Sequence, residues 1–184
     1  MGRERKPSKG KKIKPTFFVF CEGKTEELYV KFLKSQFRIP IEIDSKIAKN
    51  GISEKYINGY KKDKYTHLKD KTFLLYDLDA PKMLEKLQSI KNTTLLVSNP
   101  CIELWYLLHY REQNAEITCK SCNQELVKVN GKYSKTSIDE KLKEILSSKQ
   151  LKAWHRAEKL NPFQNPSSTI YLLLKSLIEA KKVG

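Results

Sequence analysis

Long apolar runs are missing from this sequence, and none approaches the roughly 20 residues that a helix needs to span a bilayer. The apolar stretch TFFVF after the basic start MGRERKPSKGKKIK is too short for a signal-peptide core, and no small-residue cleavage site follows it. We therefore expect a cytoplasmic protein without a membrane span. Cysteine is also scarce, with four in 184 residues, which excludes a secreted disulfide scaffold.

Acidic residues are few relative to basic ones. There are 21 Asp and Glu against 36 Lys and Arg, which gives a formal net charge of +15. A charge of this sign and size attracts polyanions but does not determine a fold. Nucleic acid is therefore the expected partner, and an anionic membrane surface is the alternative that charge alone leaves open.

The basic excess is concentrated at the start of the chain. Residues 1–15 are predicted to form a disordered basic arm, because seven basic side chains and one acid lie among prolines and glycines. Residues 16–184 are predicted to form one folded domain. The arm either only solubilises the chain or contacts phosphate. Its residues predicted to bind nucleic acid are Arg3, Arg5, Lys6, Lys11 and Lys12.

Apolar strands alternate with amphipathic helices through the first two thirds of the chain. Near-continuous apolar runs predict three strands buried on both faces, and an alternating pattern near residues 41–47 predicts a fourth that is open on one side. This alternation predicts an α/β domain with a mostly parallel central sheet of about four strands, flanked by helices. The three buried runs are residues 16–21, 71–77 and 93–97.

The remaining segments predict less regular structure. Residues 115–135 are expected to form a hairpin excursion, because Asn130-Gly131 favours a tight turn between strands. Two or three C-terminal helices should follow. Residues 52–69 predict a weak helix in which tyrosines are interleaved with lysines, a pattern typical of stacking on unpaired bases or of a mobile solvated helix. Lys61 and Lys62 are the predicted nucleic-acid contacts there.

Acidic side chains end several of the predicted strands. Ligands of open α/β sheets bind beyond the carboxyl ends of the strands. Asp77 and Asp79 follow one strand, and alternation places both side chains on the same side. Neighbouring carboxylates repel unless a cation lies between them, and Mg²⁺ or Mn²⁺ prefers such oxygen ligands. An Asp-X-Asp by itself is more often a solvated strand end or a helix cap.

Further carboxylates are expected at the same edge. Glu22 leaves the first strand and serves no helix cap that the sequence identifies. Glu26 lies on the first turn of the next helix, which it could simply stabilise through the helix dipole. Glu103 lies one turn into the helix after residues 93–97. Several carboxylates at one edge of a strongly basic protein predict a metal site within a phosphate-attracting surface.

Four segments occur along the chain in a characteristic order: E-G-x-T-E after the first strand, D-x-D after a later one, then SNPCIELWYLLHY and NPSSTIYLLLKSL. Together they resemble the RloB (AbiLii-type) family, from about Thr16 to Leu177. The segment SNPC-x-ELW-x-LLH is the most specific part of the resemblance. The resemblance implies a Toprim-like fold and a setting beside restriction or phage-defence genes.

The same resemblance implies roles for the strand-end acids. Toprim folds, shared with topoisomerases, primases and OLD-type nucleases, use a strand-end glutamate and a D-x-D. Glu22 would therefore be the general acid/base, and Asp77 and Asp79 would bind Mg²⁺ or Mn²⁺. By similarity to OLD-type nucleases Glu26 would be a further ligand, and Glu103 is similar in placement to an additional acidic position.

Two features next to these acids modify that expectation. Lys24 would stabilise the negative charge that develops in the reaction, or it is an ordinary solvated lysine at a helix start. Many relatives continue the D-x-D with another acid, where this chain has Ala80-Pro81. A second metal ion would therefore have fewer ligands here.

The implied function is a metal-dependent nuclease of phage defence that cuts DNA or RNA, with tRNA as one candidate substrate. The alternative is a non-catalytic nucleic-acid-binding subunit of a defence complex. The sequence contains no P-loop, so any ATP dependence would come from a partner ATPase or another defence protein. A homodimer is also compatible with the sequence.

One C-x-x-C motif, Cys119-Lys120-Ser121-Cys122, has half the pattern of a zinc knuckle. A structural zinc ion needs four ligands. Cys21 falls in a predicted buried strand and Cys101 in an apolar helix, so neither is a convincing third ligand. A site shared between two subunits would complete the set. We expect two unrelated thiols and no zinc.

Overall fold

The fold is built on a five-stranded sheet. The computed structural model describes residues 14–37, 42–80 and 82–182. The strands are β1 (Thr16–Cys21), β2 (Glu42–Ile47), β3 (Lys71–Asp77), β4 (Thr94–Asn99) and β5 (Ser167–Ser168). Their order in the sheet is β2-β1-β3-β4-β5, and only the pairing of β5 with β4 is antiparallel. The predicted α/β class and the mostly parallel sheet are confirmed, with one short strand more than expected.

Eight helices lie in the described part of the chain. They are α1 (Lys24–Gln36), α2 (Glu54–Lys61), α3 (Met83–Gln88), α4 (Ile102–Tyr110), α5 (Cys119–Asn130), α6 (Glu140–Ser148), α7 (Gln150–Glu158) and α8 (Tyr171–Lys182). Within those described ranges, no helix combines the length and the apolar character that crossing a membrane requires. The five arm residues predicted to bind nucleic acid, and the Pro81 that follows the D-x-D, lie outside the described residues.

Both faces of the sheet are covered, and β1 contributes to both cores. Phe17 and Val19 pack into the larger core, together with side chains of α1, α4 and the C-terminal helices. Phe18 and Phe20 point to the smaller core, which faces α2 and α3. Alternation along a strand gives this two-sided burial, and it explains why β1 is apolar at nearly every position.

Helix α4 is buried at every position except its last residue, Tyr110. It packs between the sheet and the helices α5 and α7. Its N-terminus therefore has a fixed position beside the end of β4. A helix that is apolar on all sides is expected to be enclosed by other elements in this way.

The predicted hairpin over residues 115–135 is wrong, because helix α5 occupies most of that range. Thr118 caps its start by accepting a hydrogen bond from Ser121 N at 3.1 Å. Cys122 and Leu126, one turn apart, are both fully buried. Gly131 has a φ of 72°, which ends the helix in the conformation that glycine adopts most easily. The Asn-Gly pair is thus a helix terminus rather than a hairpin turn.

The β4 edge of the sheet is completed largely by one side chain. β5 is only two residues long. Just beyond it, Thr169 Oγ1 accepts a hydrogen bond from Val97 N at 2.9 Å and donates one to Leu95 O at 2.9 Å. A threonine hydroxyl thereby satisfies one donor and one acceptor that a longer strand would otherwise pair with.

A candidate metal centre at the carboxyl edge of the sheet

Four acidic side chains meet where the parallel strands end; we call Glu22, Glu26, Asp77 and Glu103 the acidic cluster. Glu22 follows β1 and Asp77 ends β3, while the other two lie in the first turns of α1 and α4. Besides burial, the charges of Glu26, Glu103 and Glu22 raise the pKa of Asp77, and those of Glu22 and Glu103 raise the pKa of Glu26. The structure therefore brings together four residues that the sequence predicted at this edge.

Hydrogen bonds tie the acids to the ends of the elements. Glu22 Oε2 accepts from Asp77 N at 3.0 Å, and so links the end of β1 to the end of β3. Asp77 Oδ1 accepts from Ile102 N at 2.8 Å, and so caps the start of α4 from the neighbouring strand. The N-terminus of α4 carries partial positive charge that favours a carboxylate at this position.

Glu26 is part of the N-terminal cap of α1. Its Oε2 accepts from Gly23 N at 2.8 Å, and only 5% of the residue is exposed. A β-carbon at position 23 would lie 3.1 Å from that oxygen, so glycine allows the close approach. Glu26 therefore stabilises the start of α1, and the same carboxylate also belongs to the acidic cluster.

Glu103 is the most enclosed acid of the cluster, with 1% of the residue exposed. Its Oε1 accepts a hydrogen bond from Tyr133 Oη at 2.9 Å and forms an ion pair with Lys135 Nζ at 3.4 Å. Its Oε2 is buried and has no hydrogen-bond partner among the described residues. Although partial burial lowers the pKa of Lys135, the Glu103 carboxylate raises it above its usual value.

Tyr133 and Lys135 come from segment 131–137, which connects α5 to α6. A short antiparallel bridge between Ser134 and Ser137 shapes this segment. Thr25 Oγ1, in the first turn of α1, donates a hydrogen bond to Lys135 O at 2.9 Å. Segment 131–137 therefore covers the acidic cluster and joins α1 to α4. The sequence carried no signal for this, because the contact depends on how distant segments fold together.

Burial and mutual repulsion make the ionised form of the cluster unfavourable. Burial raises the pKa of Asp77 well above its usual value, and the charges of the three other acids add to that rise. Burial also raises the pKa of Glu26 and of Glu22. Glu22 is raised further by the charge of Asp79, while its hydrogen bond from Asp77 N opposes the rise. A bound cation would offset both burial and repulsion.

The donor atoms of Asp77, Cys101 and Glu103 all lie within 4.8 Å of one another, close enough for one metal ion. This group combines two predicted ligands with a thiol that the sequence analysis set aside. Asp79 is exposed beyond β3 and stands outside this tight group, although it is near enough to affect Glu22. The residues present thus fit a metal ion, with oxygen ligands predominating.

The predicted basic contacts lie elsewhere. Lys24 Nζ forms an ion pair with Glu27 Oε2 at 2.8 Å on the surface of α1. Lys61 Nζ lies over the Phe18 ring at 4.6 Å from its centroid and donates to Thr72, near the amino end of β3. It is therefore at the opposite edge of the sheet from the acidic cluster. Lys62 follows α2 and is exposed.

Three of the four thiols gather at the start of α4. Helix α5 brings the C-x-x-C motif beside this point, so that Cys101 contacts both Cys119 and Cys122. Cys101 and Cys122 are fully buried, and Cys119 is half-buried. The sequence analysis set Cys101 aside as a third ligand because it falls in an apolar helix, and it expected a hairpin where helix α5 carries the motif to this point. All four cysteines are free.

Comparison with known proteins identifies the family of the chain. Residues 17–177 match the family model described as RloB-like protein. The chain therefore belongs to the RloB-like family, which confirms the resemblance drawn from the sequence motifs. The AbiLii-type and Toprim-like assignments stay predictions. No match was found among curated proteins or among solved structures.

Proposed function

We propose that this RloB-like chain is a metal-dependent nuclease that hydrolyses phosphodiester bonds of DNA or RNA in the bacterial cytoplasm, as part of anti-phage defence. The acidic cluster at the carboxyl edge of the sheet is the observation that carries the proposal. Three of its four carboxylates accept backbone hydrogen bonds at helix or strand ends, but those bonds do not require acids so close together that burial and repulsion raise the pKa values of Asp77 and Glu26. Family membership supports the defence setting.

The metal would be Mg²⁺ or Mn²⁺, held by Asp77 and Glu103, with Glu26 and Asp79 as further oxygen ligands. When bound, such an ion polarises a phosphodiester oxygen and stabilises the charge that develops on it. Asp77 is well placed for this role because Ile102 N holds only its Oδ1. The exposed position of Asp79 suits a ligand on the side from which substrate arrives.

Glu22 is the proposed general acid/base. Its raised pKa lies closer to neutral pH than that of an ordinary glutamate, so the carboxyl group can both take and release a proton. The hydrogen bond from Asp77 N fixes Oε2 and so orients the group. Lys24 would have to exchange Glu27 for a substrate phosphate in order to stabilise developing charge.

Substrate attraction is proposed to come from the basic surface and arm. Arg3, Arg5, Lys6, Lys11, Lys12, Lys61 and Lys62 are the candidate contacts. Lysine and arginine release counterions from nucleic acid when they bind phosphates, so affinity should fall steeply with salt. Because Lys61 is partly buried against Phe18, Lys62 is the more accessible of that pair.

The test is cleavage of a mixed panel of plasmid, single-stranded DNA, tRNA and total RNA in Mg²⁺ or Mn²⁺. We expect cleavage by the natural sequence, and none in EDTA or with the double variant Glu22→Gln/Asp77→Asn. Glu140→Gln, at an exposed acid of α6, is the control and should cleave normally. Cleavage by the double variant would contradict the proposal. Salt-sensitive binding without cleavage would favour the alternative, a binding subunit that needs a partner ATPase.

A further inference from the structure

Cys101 lies at the base of the acidic cluster, where its thiol is within reach of the Cys122 thiol and of the Glu103 carboxylate. It is the N-cap residue of α4, a position where a side chain usually accepts a hydrogen bond from the first turn. Its own side chain makes no such bond, since Asp77 Oδ1 accepts from Ile102 N instead. Only 1% of Cys101 is exposed. The thiol is therefore available for another interaction inside the cluster.

Glu103 supplies an independent indication of a ligand. Its Oε2 is buried and has no hydrogen-bond partner among the described residues, whereas Oε1 accepts from Tyr133 and forms an ion pair with Lys135. Buried carboxylate oxygens are almost always paired with donors or with a metal ion. This oxygen lies beside a thiol and a second carboxylate, so the three groups together can bind a metal ion.

The spacing fits a single ion. Ligand atoms of one tetrahedral zinc ion lie about 3.5 Å apart, given zinc–sulfur and zinc–oxygen distances of about 2.3 and 2.1 Å. The donor atoms of Asp77, Cys101 and Glu103 lie within 4.8 Å of one another, so side-chain movements of about 1 Å bring them to one ion. Mg²⁺ takes oxygen ligands, whereas thiolate selects softer ions such as Zn²⁺.

We infer that Asp77, Cys101 and Glu103 form a mixed thiolate and carboxylate site for a divalent ion of the Zn²⁺ class. Three protein ligands leave a fourth position for water or a substrate oxygen, as in catalytic rather than structural zinc sites. On binding, the Cys101 thiol releases its proton to solvent and a sulfur–metal bond forms. The inference rests on the proposed function, because it uses the same acidic cluster. It differs in the metal that binds most tightly there, which is an ion of the Zn²⁺ class rather than Mg²⁺ or Mn²⁺.

Cobalt is the probe, because Co²⁺ replaces Zn²⁺ and shows a sulfur-to-metal charge-transfer band in the near ultraviolet only when a thiolate binds it. We expect the full chain to show this band on titration with Co²⁺. The band should persist in Cys119→Ser/Cys122→Ser, which removes the neighbouring thiols but leaves Cys101. It should disappear in Cys101→Ser. Affinity for Zn²⁺ should fall in that variant by at least about tenfold, the loss that even an outer-shell partner causes.

Several outcomes would overturn the inference. Co²⁺ binding by calorimetry without the band would mean that carboxylates alone hold the metal. A band that survives in Cys101→Ser, or vanishes in Cys119→Ser/Cys122→Ser, would assign the sulfur to α5. This second comparison decides the matter even if Cys101→Ser does not fold. Cleavage in Mg²⁺ without the cobalt band would refute the thiolate site and support the proposed nuclease activity. The band without cleavage of any substrate would support the thiolate site and contradict the nuclease activity.

Discussion

Acidic side chains have different surroundings at the two edges of the sheet. At the amino edge, Asp70 has both oxygens occupied by backbone donors: Oδ1 accepts from Thr16 N at 2.6 Å and Oδ2 from His67 N at 2.9 Å. The charge of Asp70 also acts on the nearby Lys61. At the carboxyl edge, burial and the charges of the three other acids raise the pKa of Asp77, and Lys135 is the cation in contact with Glu103 among the described residues.

This difference separates an acid whose charge is compensated by its neighbours from acids whose pKa values are raised by burial and repulsion. Asp70 ties the start of β1 to the loop before β3, and its neighbours already compensate its charge. In the acidic cluster, backbone donors reach Glu22, Glu26 and Asp77, but burial and repulsion still raise their pKa values. An arrangement that costs stability in this way is common at functional sites.

The widest difference between the edges should be in activity. Asp77→Asn keeps the shape of the side chain but removes a charge from the cluster, and should lower the cleavage rate by about 10²- to 10³-fold. Asp70→Asn is the matched change at the amino edge and should leave the rate nearly unchanged. Initial rates on the cleaved substrate, with folding checked by circular dichroism, measure both. Equal losses in the two variants would mean that the edges do not differ in function.

Metal binding should stabilise the protein through one edge only. At a concentration about 100 times its dissociation constant, Mg²⁺ or Mn²⁺ should add about 2.7 kcal/mol to the free energy of unfolding. For a chain of this length that corresponds to a rise in melting temperature of about 5–10 °C. The rise should persist in Asp70→Asn and largely vanish in Asp77→Asn. A full rise in Asp77→Asn would place the metal elsewhere.

The metal-free protein should lose stability as pH rises. The pKa values of Glu22, Glu26 and Asp77 are raised in the folded state, so between about pH 4 and those raised values the folded chain holds more protons than the unfolded chain. The free energy of unfolding therefore falls as pH rises through this window. Asp77→Asn should be more stable than the natural sequence by about 1–2 kcal/mol at neutral pH.

Urea unfolding in EDTA across this pH range is the measurement. The advantage of Asp77→Asn should shrink as pH falls and should vanish near about pH 3, where the carboxyl group is protonated in both states. Asp70→Asn should show no such advantage, because backbone donors satisfy the Asp70 carboxylate. Stability of the natural sequence that increases with pH over this window would show that the acids are compensated at both edges.

Lys135 sets how strongly the cluster competes for an ion. Its ammonium group contacts Glu103 Oε1 at 3.4 Å and would repel a cation bound there. Lys135→Met keeps much of the side-chain length and removes the charge, so affinity for Mn²⁺ should rise by about threefold to tenfold. Calorimetric titration measures it, with the exposed Lys120→Met as control. A lower affinity in Lys135→Met would indicate that the lysine supports the site instead.

The smallest effect is expected at Lys24, outside both edges. Its ion pair with Glu27 lies on the surface, and Glu27 keeps a second partner, Lys31, at 2.9 Å. Lys24→Ala should therefore lower the free energy of unfolding by less than about 0.5 kcal/mol, as usual for exposed ion pairs. Urea unfolding beside Lys31→Ala checks this. A loss well above that in Lys24→Ala alone would reveal an additional contact.

The sheet and the strand-end acids could be predicted because their signals are local. The apolar runs gave β1 and β3 with the bounds that the structure shows. Parallel strands end at a common edge, so Glu22 and Asp77 were expected to be close. Each step from pattern to position needed only the periodicity of a strand and the rule that places ligands at this edge.

The rest of the site depends on contacts between distant segments. Tyr133 and Lys135 reach Glu103 only because segment 131–137 folds back over α1. Asn130-Gly131 suits a hairpin turn and a helix terminus equally well, and the buried spacing of Cys122 and Leu126 was the signal that favoured the helix. Placing that helix correctly would also have brought the C-x-x-C motif to Cys101.

The hydroxyl of Thr169 affects the tendency of the chain to aggregate at high protein concentration. An open strand edge is a template on which other chains can add strands and aggregate. By bonding Val97 N and Leu95 O, this one side chain removes such a template from β4. At the opposite side of the sheet, Lys34 Nζ donates to Ile43 O of the outer strand β2 at 2.9 Å and places a positive charge there. Addition of a strand from another chain is thus disfavoured at both sides of the sheet, by the neutral Thr169 hydroxyl on one side and by the charged Lys34 on the other.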